Sequence, residues 1–392
     1  MMDCKALALQ EKDYIIGLRR WFHAHPELGR HEIRTTERIV SELRSFGIEV
    51  QTFPDITGCI GTLRGARPGK TVMLRADIDA LPIQEADLSK PYASQNPGVM
   101  HACGHDSHTA MLLGAAKLLA AHREEISGTV KFLFQMAEEV GADAREYPKR
   151  GCLDGVDAIY GSHIWTLLPS GKFNIEAGPR MASSDRFTIR IHGKAAHGSA
   201  PHQGRDAVLA AAGVVMALQS LVSRTNDPQN TFVLTTGVMN GGTRDNIIAA
   251  EAELIGTTRT FNREFRKTLP DMILRTAKAA AEAYGCTAEL DYFFGPAPVI
   301  NDHEDLNDIV RAAAKDLLGE DALVPMDRQM GAEDFSVYME HVPGVFAFLG
   351  CRNEAKGIDS PHHSTTFDID EDVLPSGTAM YMRFAVDYLN KK

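Results

Sequence analysis

The sequence is poor in several features that would have pointed elsewhere. No apolar run is long enough to span a bilayer, and the opening MMDCKALALQEKD lacks a secretory apolar core. A cytoplasmic protein without membrane association is the expectation. Positive charge is in deficit: 41 Lys and Arg stand against 52 Asp and Glu, a formal net charge of −11. That balance argues against a broad nucleic-acid surface. Six cysteines, at 4, 59, 103, 152, 286 and 351, are too scattered for the disulfide framework of a small secreted domain. No GxGxxG follows an early strand, so nothing marks a dinucleotide site despite an apparently doubly wound sheet. What remains is ordinary globular material, 44% apolar and 24% charged over 392 residues, enough for a large core and two domains.

The first part of the chain alternates helical and strand signals. KTVMLRADIDALP (70–82), GTVKFLFQMAEE (128–139), VDAIYGSHI (156–164) and GVFAFLG (344–350) read as apolar strands. YIIGLRRWFHAH, the amphipathic segment after His31, HTAMLLGAAKLLAAHREEI and the C-terminal DVLPSGTAMYMRFAVDYLN read as helices, the third with small residues on its packing face. Apolar strands separated by helices predict an α/β domain with a mainly parallel sheet. Ligand sites in such sheets lie beyond the carboxyl ends of the strands, where Asp77, Asp79, Glu138, Glu139 and His163 stand. Between 181 and 293 the order becomes β-α-β-β-α-β, with 247–261 read as one strand, which is the ferredoxin-like pattern. A small α+β domain over 181–293, inserted into a domain made of 1–180 and 294–392, is therefore expected.

HACGHDSHTA (101–110) gathers one cysteine and three histidines into ten residues. Cys103 and His105 are one residue apart and could grip the same metal from an extended loop, or Cys103 could be a nucleophile with a histidine base. Thiolate, imidazole and carboxylate donors suit zinc first, then manganese, cobalt or nickel. Glu138 and Glu139 are adjacent acids at a strand end; one could bind metal while the other moves a proton. His163 ends another strand, and His362 and His363 sit in a loop before the last helix. Donors from so many segments make a dinuclear metal hydrolase credible. A cysteine protease would leave the glutamate pair and His163 unused. A metal-stabilised binding module without turnover stays open.

These motifs carry a resemblance. FHAHPELG (22–29), RADIDALPI (75–83), GVMHACGHDSHTAML (98–112), FQMAEE (134–139), GSH (161–163), GKAAHGSAPHQGRDA (193–207), GGTRDNI (241–247), GTTRTF (256–261) and HSTTFDIDE (363–371) together resemble the peptidase M20 amidohydrolases. The likeness is to the branch of hippurate hydrolases, N-acyl-amino-acid amidohydrolases and auxin-conjugate hydrolases. It implies two divalent metal ions held by Cys103, His105, Glu139, His163 and His363, with Cys103 able to bridge. Glu138 would be the general base and acid, and Asp79 would orient a ligand histidine. In the inserted lid and dimerisation domain, His197, with His202 as a possible substitute, would reach a partner subunit's site. Asn246 and Arg259 would contact substrate. The resemblance further implies a homodimer and a small N-acyl amino acid substrate, with dipeptidase or carboxypeptidase activity as the alternative. The chain departs from the family at Met136, Ala249 and Thr365, where prolines are common, and none of these removes a ligand.

Overall fold

The computed structural model describes residues 2–141 and 143–391. They gather into two compact units, one of residues 2–178, 300–327 and 334–391, the other of Pro179–Val299 and Arg328–Glu333.

The first unit is built on a seven-stranded sheet, ordered Glu49–Thr52, Cys59–Arg64, Ser127–Gln135, Arg67–Asp77, Ala158–Pro169, Gly344–Arg352, Phe173–Asn174. The four central strands run parallel and the flanking strands antiparallel. The reversal at one side has a simple cause. Only two residues join Cys59–Arg64 to Arg67–Asp77, whereas a parallel crossover needs about a dozen. Along Arg67–Asp77 the side chains alternate: Val72, Leu74 and Ala76 enter the main core, while Arg75 faces the Phe335 ring at 5.9 Å. The helix His105–Ala121 shows more than one packing face. Every residue from His105 to Ala120 except Lys117 is buried, because Lys12–Ala24 and Leu374–Asn390 pack against it along with the sheet.

The second unit has a four-stranded antiparallel sheet ordered Phe232–Gly241, Glu251–Thr260, Asp185–His192, Thr287–Phe293. The helices Ala207–Ser220 and Arg263–Glu282 complete a separate core around Phe187, Ile189, Leu254 and Ile273. Along the chain the order is strand, helix, strand, strand, helix, strand. The stretch read as one strand from 247 divides in two. Ile247–Ile248 pairs with Ala196–His197, and only Glu251–Thr260 joins the sheet. Between them the carbonyls of Ala249 and Ala250 leave the ladder to accept from the backbone N–H groups of Ala207 and Gly193. One segment corrects the expectation about apolar runs: Ala207–Thr225 is long and apolar enough to cross a membrane by length and composition, with mean hydropathy 1.6. Part of its composition has a local reason, since Ala207, Ala210, Ala211, Val214, Leu218 and Leu221 enter the core of this unit, whereas Leu209 and Met216 are exposed.

Candidate metal centre

The candidate donors lie where the central strands end. Arg67–Asp77 is paired with Ala158–Pro169 only as far as Arg75 opposite Gly161, so His163 lies past the end of that pairing. It does not end its own strand as expected, because the strand stays paired with Gly344–Arg352 through Phe348 opposite His163 and runs on to Pro169. Ser127–Gln135 runs into a 3-10 turn carrying Glu138 and Glu139. Cys103 precedes the helix that His105 begins, and the residue between them must be glycine. Gly104 has φ +95°, and a Cβ there would lie 2.3 Å from Ile164 Cδ1. His363, also in the left-handed region at φ +62°, is tied to the same place by its N–H, which donates to the Ala102 carbonyl at 2.8 Å.

Among the described residues, three donor groups are made wholly of the candidate residues: Cys103, His105 and His163; Cys103, Glu139 and His363; His105, Glu138 and Glu139. Two more, one taking in Asp77 and His108 with His105 and the other Asp334 with Glu138, adjoin them. In each, one donor atom per residue lies within 4.8 Å of the others. Cys103 belongs to two of them, with its Sγ 3.4 Å from His163 Nε2. His163 turns Nδ1 to the Ile164 carbonyl at 2.5 Å, which leaves Nε2 facing the thiol. His105 points Nδ1 at Asp79 Oδ1, 3.1 Å away, while its buried Nε2 has no hydrogen-bond partner among the described residues. A buried nitrogen left this way is costly unless something binds it. Asp79 also accepts the Glu139 N–H at 3.0 Å, so one carboxylate aligns two donors. His363 Nε2 lies 3.2 Å from Glu139 Oε1. His362 turns away, stacking near Trp165 at 4.7 Å and accepting the Thr166 N–H.

The electrostatics call for a cation. Burial disfavours a charged His105, yet Asp77, Asp79 and Glu139 outweigh it and push the imidazole up to about 10. Burial, with Glu139 and Glu138 adding to it, pushes the Cys103 thiol well above its ordinary value. A nucleophilic cysteine needs the opposite environment, so the cysteine-protease reading fails on these neighbours. A divalent cation would stabilise thiolate and carboxylates together. The donor set fits such an ion.

Several supporting residues had no assigned role in the sequence. Asp77 is buried between His108 Nδ1, 2.5 Å away, and Arg75 Nη1, 2.8 Å away, and His108 Nε2 accepts the Ile164 N–H. Asp334, from the acidic pair in GAEDF, accepts from Arg75, Gln135 and the Ala144 N–H. Its own N–H approaches Glu138 Oε1 at 3.4 Å. An acid pair beside Phe335 resembles the pair in MAEE and was the available signal.

The helix Lys12–Ala24 supplies a buried brace for the same helix start. Arg19, fully buried, donates to Asp106 at 3.0 Å, to Asp368 at 3.0 Å and to Glu371 at 3.2 Å. His23 bridges Asp106 and Glu85 at 2.7 and 3.4 Å. Burial alone would raise the Asp106 carboxyl, but Arg19 and His23 hold it far below the usual range. The stabilisation from that depression is complete above the unfolded carboxylate's pKa of about 3.9 and is lost as pH falls through the folded value. Removing one partner strands the other buried charge. Arg19→Met should therefore lower the unfolding free energy at pH 7 by about 3–5 kcal/mol, with the difference shrinking in acid. Urea unfolding across pH checks this, and a loss under about 1 kcal/mol at pH 7 would contradict it.

The second unit holds the remaining candidates. His197 and Asn246 come together on the short two-stranded ribbon, where the Gly198 N–H donates to the Asn246 carbonyl at 2.8 Å. His197 Nδ1 accepts from the Ser199 N–H at 3.1 Å, and His202 lies exposed in the 3-10 turn Pro201–Gln203. Arg259 is apart from them in the sheet, its Nη1 folded back on Thr257 Oγ1 and the Thr258 carbonyl. Burial lowers its guanidinium's pKa.

Comparison with known proteins adds to this geometry. Residues 73–387 match the family described as peptidase family M20/M25/M40. The chain is 40% identical to thermostable carboxypeptidase 1 of Saccharolobus solfataricus over 97% of this chain and 96% of that protein. It is 45% identical to the N-acyl-L-amino acid amidohydrolase of Geobacillus stearothermophilus over 76% and 81%. Among solved structures, the Bacillus subtilis YXEP protein, described as a dinuclear metal binding peptidase from the M20 family, superposes with a TM-score of 0.85. That match has 36% identity and covers 98% of this chain and all of the other.

Proposed function

The chain belongs to peptidase family M20/M25/M40, and from that premise we propose that it is a metal-dependent amidohydrolase cleaving N-acyl amino acids to a carboxylic acid and a free amino acid. The observation that carries the reading is the sharing of Cys103 between two donor groups, with Glu138 next to the donor Glu139. Cys103, His105, Glu139, His163 and His363 would hold two divalent cations, zinc first and manganese, cobalt or nickel next. Bound there, the ions supply Lewis acidity, polarising the substrate carbonyl and acidifying the attacking water.

Glu138 takes the proton from that water and delivers it to the departing nitrogen, so one carboxylate serves as base and then acid. Asp334, through its N–H, steadies Glu138, and Asp79 fixes the ring of His105. The second unit acts as a ferredoxin-like lid and dimerisation domain in a cytoplasmic homodimer. From it, His197, or His202 on the same loop, meets the charge developing on the carbonyl oxygen. Asn246 and Arg259 receive the substrate's free carboxylate.

A panel of hippurate, N-acetyl amino acids and dipeptides tests the substrate class, with free amine measured by ninhydrin. Release from hippurate or N-acetyl amino acids but not from dipeptides is expected. Cleavage of peptides alone would make the protein a dipeptidase or carboxypeptidase. No turnover, together with unfolding on chelation, would make it a metal-stabilised binding protein.

A further inference from the structure

Glu32, at the start of the helix Ile33–Ser45, is fully buried although it lies in none of the donor groups. Its Oε1 accepts the Ala137 N–H at 2.8 Å, and its Oε2 accepts from Thr57 Oγ1 at 2.5 Å. Ala137 immediately precedes Glu138 and has φ +54° and ψ 40°, a left-handed conformation that a side chain disfavours. The turn around it is held at three backbone N–H groups. Met136 donates to the Tyr147 hydroxyl at 3.0 Å, Ala137 to Glu32, and Glu139 to Asp79 at 3.0 Å. Tyr147 and Asp79 alone would fix the ends of the turn but not the inverted residue in its middle. Burial pushes the Glu32 carboxyl up to about 7, so folding keeps an acid here at some cost. Such a group persists where the surrounding structure needs it.

We propose that Glu32 is a positioning residue for the hydrolytic centre: by clamping the Ala137 N–H it holds the left-handed turn that aims Glu138 and Glu139. The inference rests on the function proposed above for those two glutamates. It gives Glu32 no contact with substrate. Its loss should therefore act on the proton-transfer step rather than on binding, since about 1 Å of misplacement can cost on the order of 100-fold in rate.

Glu32→Met fills the same space without an acceptor. With metal at saturation, we expect kcat to fall about 10–100-fold while KM stays within threefold. Glu32→Gln, whose amide oxygen can still accept from Ala137, should keep kcat within threefold of the parent. Adding Ala137→Gly to Glu32→Met should recover at least fivefold in kcat, because glycine adopts the left-handed turn without a clamp. A loss of mere core packing would not be restored that way. A readout independent of turnover is hydrogen exchange at the Ala137 amide in the metal-stripped full chain. It should quicken at least tenfold in Glu32→Met and stay unchanged in Glu32→Gln. Should Glu32→Met not fold, Ala137→Val disfavours the same turn with Glu32 in place and should give the same kcat loss at unchanged KM.

An unaltered kcat in Glu32→Met, a loss carried by KM, or no recovery with Ala137→Gly overturns the proposal. For Ala137→Val, an unaltered kcat overturns it equally. If the parent protein turns over no N-acyl amino acid or peptide, the functional reading fails instead. Amide exchange then decides the positioning claim, and unchanged protection at Ala137 rejects it.

Discussion

Glu138→Gln protein, carrying as much metal as the parent, is expected to hydrolyse its best N-acyl amino acid about 10²–10⁴-fold more slowly, the usual contribution of a positioned general base. The amide keeps the shape of the side chain and its contact with the Asp334 N–H, which lies 3.4 Å from Oε1. What it cannot do is take a proton from water. KM should change little, since the base acts in the transition state and not in holding the ground state. Steady-state kinetics beside metal analysis reads both quantities. Undiminished kcat would move the base elsewhere.

The second large effect belongs to the donors. Cys103→Ala and His105→Ala should each lose bound metal and turnover together, leaving no hydrolysis above a buffer blank. The reason is visible in how tightly the cluster is shared. Cys103 serves two donor groups, and the buried His105 Nε2 has no hydrogen-bond partner among the described residues. Deleting either opens both halves of the cluster. The loss should also be distinguishable from unfolding, because the core lies on apolar residues such as Leu74, Phe132 and Leu349 rather than on these donors. Metal analysis, kinetics and thermal unfolding on the same preparations check it. Full turnover with Cys103 removed would contradict the account.

Much of this arrangement is legible in the sequence. The central strands are buried on both faces, so they read as uninterrupted apolar runs, and acids or histidines at their ends stand out. The inserted unit is legible for the opposite reason: DRFTIRIH alternates buried and exposed residues along one half-covered sheet. CGH is legible as a cluster because its three residues are local. The ambiguity between His362 and His363 is of another kind. Both are histidines in one loop, and the structure separates them: His363 has a left-handed backbone and faces Glu139, while His362 packs beside Trp165.

What stays hidden depends on contacts between distant parts of the chain. Asp334 meets Gln135 across 199 positions, and Glu32 meets Ala137 across 105. No periodicity or spacing marks such pairs, because Asp334 and Glu32, each taken alone, resemble solvated acids. Arg19 is hidden likewise; on the helix surface it would pass for an ordinary exposed cation, and only the fold reveals that it is enclosed by Asp106, Asp368 and Glu371. The division of 247–260 is also a tertiary effect, imposed by the N–H groups of Gly193 and Ala207.

The central claim is that hydrolysis depends on a two-metal centre at these strand ends. The most direct test strips the full-length protein with chelator and adds back zinc, or manganese, in known equivalents while turnover of hippurate or an N-acetyl amino acid is followed. The account predicts no activity without metal and a rise that saturates at two equivalents per chain, abolished in Cys103→Ala. Undiminished turnover in the stripped protein would contradict it.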